Sequence, residues 1–370
     1  MTQPGHYRAL LLRLATALAL AGLSLPSQSL RAQQDTQFST DVNVVNIYAT
    51  VRDKQLKIVK SLAADDFVLT EDGRPQTIKY FSQEADLPLS IGLLIDTSLS
   101  QRNVLGEEKD ASYSFLDQVL RPEKDQTFVI HFDHQTELLQ DLTSSRKDLR
   151  RALDAVHMPD DARPQMRQGG QGGGGGGGYP NGNNGGMRQA GTTLYDAIFL
   201  ASDEIMSKQK GRKALILLTD GVDEGSKESL YDCIKAAQRS DTLVYSILFS
   251  DRDAYGQPIL ATLGGMGMGG RRNGGRNGPM NGQQRPDGKK ILQQISRETG
   301  GGFFEVTKKE PIDGIYKTVQ EELRNQYSIG YISDQDPSGT GFRHITLTAK
   351  NNKSLIVQAP EGYYPAAKQN

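Results

Sequence analysis

The chain reads as an α/β fold, a doubly wound and mostly parallel sheet, flanked at both ends by β segments. Three observations predict this. Ser90–Ile95 and Phe128–Phe132 are nearly continuous apolar runs, as strands buried on both faces require. From Pro88 to Gln326 such runs alternate with helical patterns, the signature of crossover units on a parallel sheet. Before and after that stretch the period is two, which is half-buried β structure.

In chain order, residues 1–32 read as a secretory signal peptide. Arg8 and Arg13 precede an Ala- and Leu-rich run from Leu14 to Leu25, and the small Ala32 stands before polar Gln33-Gln34-Asp35. No later apolar run is long enough to span a bilayer. The sequence therefore predicts an exported protein, periplasmic or extracellular, without a membrane span. Losing the three positive charges of Arg8, Arg13 and Arg31 would take the formal net charge from -1 to -4. Such a balance excludes a general nucleic-acid binder held by phosphate electrostatics. A single cysteine, Cys233, cannot form an internal disulfide, so the core and any metal must hold the fold. Beside Ile234 and Ala237 in a helical pattern, it reads as a buried thiol.

An N-terminal β segment spans 37–84. Val45, Ile47, Ala49 and Val51 alternate with polar residues, Asp66–Thr70 is a second strand, and Asp72-Gly73 is a hairpin signal because Gly accepts positive φ. Gln76–Phe81 is the expected returning strand. The α/β unit spans 87–326. Its first helix carries Ala111, Phe115 and Val119 at four-residue spacing, and Phe128–Phe132 follows, with Thr136–Leu142 as a shorter edge strand. Ser144–Val156 and Leu194–Met206 are helices, Ala214–Leu218 a strand, Ser229–Gln238 a helix and Leu243–Phe249 a strand. Ile291–Glu298 is a helix stopped by Gly300-Gly301-Gly302, Phe303–Val306 a strand and Ile312–Asn325 the last helix. The C-terminal β segment, 327–365, holds Tyr327–Ile332, Phe342–Ala349 and Leu355–Gln358. Strands at both ends predict either one β-sandwich interrupted by an inserted domain or two separate small β units. Gly-rich tracts at 168–186 and 264–288 read as disordered inserts, unable to bury enough apolar surface to offset their ordering entropy.

Chemistry concentrates at three places. The strand ending at Ile95 runs into Asp96-Thr97-Ser98-Leu99-Ser100, Gly191-Thr192-Thr193 opens a helix, and the strand ending at Leu218 runs into Thr219-Asp220-Gly221. Ligands of doubly wound sheets bind at the carboxyl ends of the strands, where Asp96 and Asp220 stand. Two carboxylates with several hydroxyls form a hard oxygen site suited to Mg²⁺, Mn²⁺ or Ca²⁺.

In that order, Asp-x-Ser-x-Ser, the helix-opening Gly-Thr and the strand-terminal Thr-Asp-Gly resemble the metal-ion-dependent adhesion site of von Willebrand factor A domains. The resemblance covers about Leu87 to Gln326. It implies that Ser98 and Ser100 ligate one metal per domain directly, with Thr192 joining in the ligand-competent state. Asp96 and Asp220 would act mainly through waters, and one position would remain for a carboxylate of a protein partner. Thr193 competes with Thr192, which follows Gly191 as in the family pattern. The flanks resemble a secreted bacterial subgroup through Val51-Arg52-Asp53, Leu62, Asp66-Phe67, Glu71-Asp72-Gly73 and Gly362-Tyr363-Tyr364.

The expected function is metal-dependent protein binding of the adhesion type. The alternative is a structural or assembly component whose β domain makes the contacts while the metal stabilises the fold. Catalysis is not expected, since no His lies in a motif beside Ser98 to act as its base. His131 and His134, three apart at the end of a strand, point to opposite faces rather than to a shared zinc. Neither Gly tract ends in the Gly-Lys-Ser/Thr of a phosphate loop. Asp223 and Glu224 read as a solvated loop.

Overall fold

Strand β5 (Leu89–Asp96) is the axis of the fold, and all of its residues are buried. Ile91, Leu93 and Ile95 pack into one helix layer and Leu94 into the other, which is why the run shows no alternation. Each fully buried aliphatic side chain here contributes roughly 1.5–3 kcal/mol.

The computed structural model describes residues 44–83, 87–101, 103–158, 191–249, 287–336, 339–350 and 354–365. All of them fall within one compact unit, Asn43–Asn370. The expected signal peptide 1–32, the start of the N-terminal segment at 37–43, the tract 168–186 and residues 264–286 of the second tract lie outside the described residues. Among the described residues no helix is long and apolar enough to cross a membrane.

Around β5 stand β6 (Gln126–Phe132), β7 (Thr136–Thr143), β8 (Arg212–Thr219), β9 (Thr242–Leu248) and β10 (Phe303–Glu305). Their order is β10-β9-β8-β5-β6-β7, parallel throughout except for β7, which runs antiparallel at one edge. The chain winds outward from β5 through β6 and β7, then returns to β8 on the other side of β5. The topological switch point therefore lies between β5 and β8.

Helices α1 (Leu105–Val119), α2 (Arg146–Ala155) and α6 (Ile312–Arg324) cover one face. The other face is covered by α3 (Leu194–Leu200), α4 (Leu230–Arg239) and α5 (Gly288–Thr299). The expected helix Leu194–Met206 is not uniform, because α3 continues as a π-turn over Ala201–Ile205 and a tighter turn over Met206–Lys208. Ser145 and Ser229 cap α2 and α4 by accepting from the amides of Asp148 and Asp232. Asp287 does the same for α5, accepting from Lys290. That cap corrects the expected bounds of the second tract, since Asp287 and Gly288 belong to a helix end rather than to an unstructured insert.

The β segments at the two chain ends interleave. β1 (Val44–Arg52) lies between β11 (Tyr327–Ile332) and β13 (Ile356–Gln358), while β2 (Phe67–Glu71) pairs with β12 (Arg343–Ala349). Two four-stranded sheets result, β13-β1-β11-β4 and β14-β12-β2-β3, with β3 at Arg74–Gln76, β4 at Ile78–Ser82 and β14 at Gly362–Tyr363. They share one core of Ile47, Val51, Phe67, Leu69, Tyr327, Ile329, Tyr331, Ile345 and Leu347. This is the interrupted β-sandwich, not two separate β units. Asp72 and Gly73, both at positive φ, make the expected turn between β2 and β3. The expected returning strand Gln76–Phe81 is divided: β3 pairs with β2, and after Thr77 the chain crosses to pair β4 with β11. A continuous strand would have left Phe81 outside the aromatic cluster it forms with Phe67 and Tyr327.

Where the inserted domain joins the sandwich, its entry and exit are held together. The buried guanidinium of Arg212 donates to the carbonyl of Leu87 at 3.1 Å on the way in and to that of Leu323 on the way out. Arg52 of β1 pairs with the fully buried Glu322 of α6.

Candidate metal centre

Asp96 closes β5, and Asp220 follows the last residue of β8. In the parallel register Ile95 stands opposite Leu218, so Asp96 and the Thr219-Asp220 pair leave the sheet side by side. Asp96 is fully buried and its two oxygens have distinct duties. Oδ1 accepts from the amide of Ser98 at 2.8 Å, and Oδ2 accepts from the hydroxyl of Thr219 at 2.6 Å. The first bond folds the loop back over the strand end, which brings the Ser98 and Ser100 hydroxyls to 2.9 Å from each other. Both serines are half-buried, and Leu99 between them is 48% exposed.

The third loop is tied by its backbone to the loop of Asp220. The Thr192 carbonyl accepts from the amides of Glu224 and Gly225 at 3.1 and 3.0 Å, which joins it to the loop that follows Asp220. The two threonines differ in their bonding. Thr193 donates its hydroxyl to the Asp133 carbonyl at 3.1 Å and exchanges a hydrogen bond with Thr136 at 2.9 Å, so it serves to dock α3 on the β6–β7 turn. Asp220 is buried at 6% exposure, and its Oδ1 accepts from the Val222 amide at 3.0 Å.

Electrostatically the centre is under tension. Burial, and after it the charge of Asp220, pushes Asp96 up to about 7, against the opposing hydrogen bonds from Ser98 and Thr219. A third carboxylate stands close by. Glu108 on α1 is fully buried, and burial, followed by the charges of Asp96, Glu107 and Asp220, holds it well above the usual carboxylate range. Motif reading does not find Glu108. The signal that does is an acid on an apolar helical stripe, here Leu105, Ala111, Phe115 and Val119. Thr219 is likewise a motif residue with a role that only the fold reveals.

The remaining residues separate by use. His131 pairs with Glu137 and His134 with Asp133, so the two histidines turn to different acids. Asp223 accepts from the Tyr195 amide at 3.2 Å and from the Ser226 hydroxyl at 2.6 Å, which makes it a partly buried brace for α3 rather than a solvated loop residue. Among the described residues no three His, Cys, Asp or Glu side chains form a metal-binding group of their own. The candidate donors, two carboxylates and three hydroxyls, are all hard oxygens of the kind a hard dication takes.

The β10-β9-β8-β5-β6-β7 order, the antiparallel edge strand and the helices on both faces decide the fold. The inserted unit is a von Willebrand factor A fold. The chain is similar to an aerotolerance-related membrane protein of Bacteroides fragilis, at 17% identity over 64% of this chain and 98% of that one, with a TM-score of 0.41. A von Willebrand factor type A protein of Catenulispora acidiphila shares 12% identity over 90% of this chain and 76% of that one, at 0.42. Proximal thread matrix protein 1 of the mussel byssus shares 15% over 70% of this chain and 51% of that one, at 0.43. Superpositions this loose leave the assignment of the A domain to its own strand order and crossovers. No protein-family model and no curated protein matches the sequence.

Proposed function

We propose that this chain is an exported protein-binding module whose A domain holds one divalent cation, Mg²⁺ or else Mn²⁺ or Ca²⁺, and through it an acidic residue of a protein partner. Asp96, Ser98, Ser100, Thr192 and Asp220 are the metal residues of this reading. The observation that carries it is a fully buried Asp96 that feels the charge of Asp220 and opens the loop of two half-buried serines whose hydroxyls lie 2.9 Å apart. Two like charges held in a low dielectric gain from a cation more than from any other ligand. The engagement of Thr193 with Asp133 and Thr136 supports Thr192 as the threonine of the set.

A thermal-unfolding titration of the mature protein tests the metal. For a site of roughly 0.1–1 mM dissociation constant, about 10 mM metal stabilises by about 1.4–2.7 kcal/mol, a shift of several degrees. Asp96→Ala should abolish that shift. Capture of a partner from the host's envelope fraction should then fail in chelator. A domain that melts cooperatively and shows no shift with any of the three ions would count against the reading.

A second reading has its own observation. Val68, Tyr80, Ile332 and Ile356 are exposed hydrophobics on sandwich strands, as expected if the β domain makes the contacts and the metal serves the fold. It requires that Ser98→Ala with Ser100→Ala leave partner capture intact.

A further inference from the structure

Helix α1 follows directly on the loop of Asp96, Ser98 and Ser100, and it turns Leu105, Glu108, Ala111, Ser112 and Phe115 inward. Glu108 is the one charged member of that face. It is fully buried, and neither of its carboxylate oxygens has a hydrogen-bond partner. Ser112, one turn on, gives its hydroxyl to the backbone carbonyl of Glu108 and meets Tyr316 at 3.0 Å, so it offers the carboxylate nothing. Gln101, fully buried in the metal loop itself, also has an unpartnered acceptor, its Oε1. A buried carboxylate without a donor is among the costliest groups a core can contain, and an apolar side chain would fill the same space at lower cost. The charges it feels are those of Asp96, of its neighbour Glu107 and of Asp220.

We propose that Glu108 is a further carboxylate of the metal centre, outside the ligand set, whose negative charge, present once the dication has displaced its proton, strengthens the hold of Asp96 and Asp220 on that ion. This rests on the metal reading above. The three acids do not form a shared cage, so Glu108 acts through the field, which a water-poor interior transmits well. Outer residues of this kind typically change metal affinity by roughly ten- to a hundredfold when removed.

Calorimetric titration of the full chain with Mg²⁺, Mn²⁺ and Ca²⁺ tests the proposal, using wild type, Glu108→Gln and Glu108→Leu, with Glu107→Gln as the exposed neighbour. Both Glu108 variants should unfold at or above the wild-type temperature when metal-free, and should bind the dication about tenfold more weakly or worse. Glu107→Gln should change affinity by less than about twofold. Unchanged affinity in Glu108→Gln, with binding still lost in Asp96→Ala, would overturn this role and leave the metal site standing. No binding by wild type would overturn both. Failure of both Glu108 variants to fold would mark Glu108 as structural and overturn it as well.

Discussion

Gly288 lies against the backbone of Asp220 so closely that a β-carbon on Gly288 would stand 2.1 Å from the Asp220 carbonyl oxygen. The contact is mutual, since Gly221 at φ +80° would place its own β-carbon 2.4 Å from the Gly288 carbonyl. The first turn of α5 thus sets the position of the strand end that bears Asp220. Only glycine allows so close an approach.

Gly288→Ala should therefore cost about 2–4 kcal/mol of stability, because backbone must move on both sides. It should also weaken metal binding by displacing Asp220. Gly106→Ala, in the exposed first turn of α1 where a β-carbon meets nothing within 4 Å, should instead stabilise by roughly 0.5–1 kcal/mol. Urea unfolding of the two variants checks both signs, and equal effects would show that the close approach is not what matters.

The pH dependence follows from Asp96. Its carboxyl sits at about 7 in the folded protein, against about 3.9 in an unfolded chain. Between those values the folded state binds more protons, so metal-free stability should fall as pH rises from about 4 to 7. Binding a dication needs the ionised carboxylate. Stabilisation by about 10 mM Mg²⁺ should thus grow through the same window and level off above about pH 7, as paired melting curves would show. A shift as large at pH 5 as at pH 8 would rule out proton competition at Asp96.

Arg52 and Glu322 join β1 of the sandwich to α6 of the A domain, with side-chain exposures of 15% and 0%. Glu322→Leu alone leaves a guanidinium short of its partner and should cost about 3–5 kcal/mol. Adding Arg52→Met should recover most of that loss. A double-mutant cycle by denaturant unfolding measures the coupling, and strictly additive losses would mean that the pair does not tie the two parts together.

Glu71 is the buried hub of the sandwich. Tyr331 donates to it at 2.5 Å and Ser333 at 2.6 Å, while Arg343 lies 3.5 Å away. Tyr331→Phe should cost about 1.5–3 kcal/mol, the worth of a hydrogen bond to a charged group. Glu71→Leu, which takes this carboxylate from the buried Arg343, should cost about 3–5 kcal/mol. Because the hub joins β2 near one chain end to β11 and β12 near the other, both losses should appear in one cooperative transition, followed by circular dichroism.

Much of this protein is legible in residue order. The unbroken apolar run of β5, the serine caps of α2 and α4 and the Asp72-Gly73 turn are local events, each decided by a few neighbouring side chains. The candidate metal residues could be proposed from the sequence for a related reason: Asp96, Ser98 and Ser100 lie on one loop, and Asp220 follows a strand whose end can be read from its own hydrophobicity. Tertiary structure decided what depends on distant partners. β1 acquires its neighbours from residues 327–332 and 356–358, and the chain leaves one sheet for the other at Thr77 because Phe81 has a place beside Tyr327. Glu108 looks like any helical acid until α1 docks and removes it from water. Hydrophobic periodicity states which face of an element is buried, but not which other element buries it, and both strand pairing and the cost of a buried charge are set by that second fact.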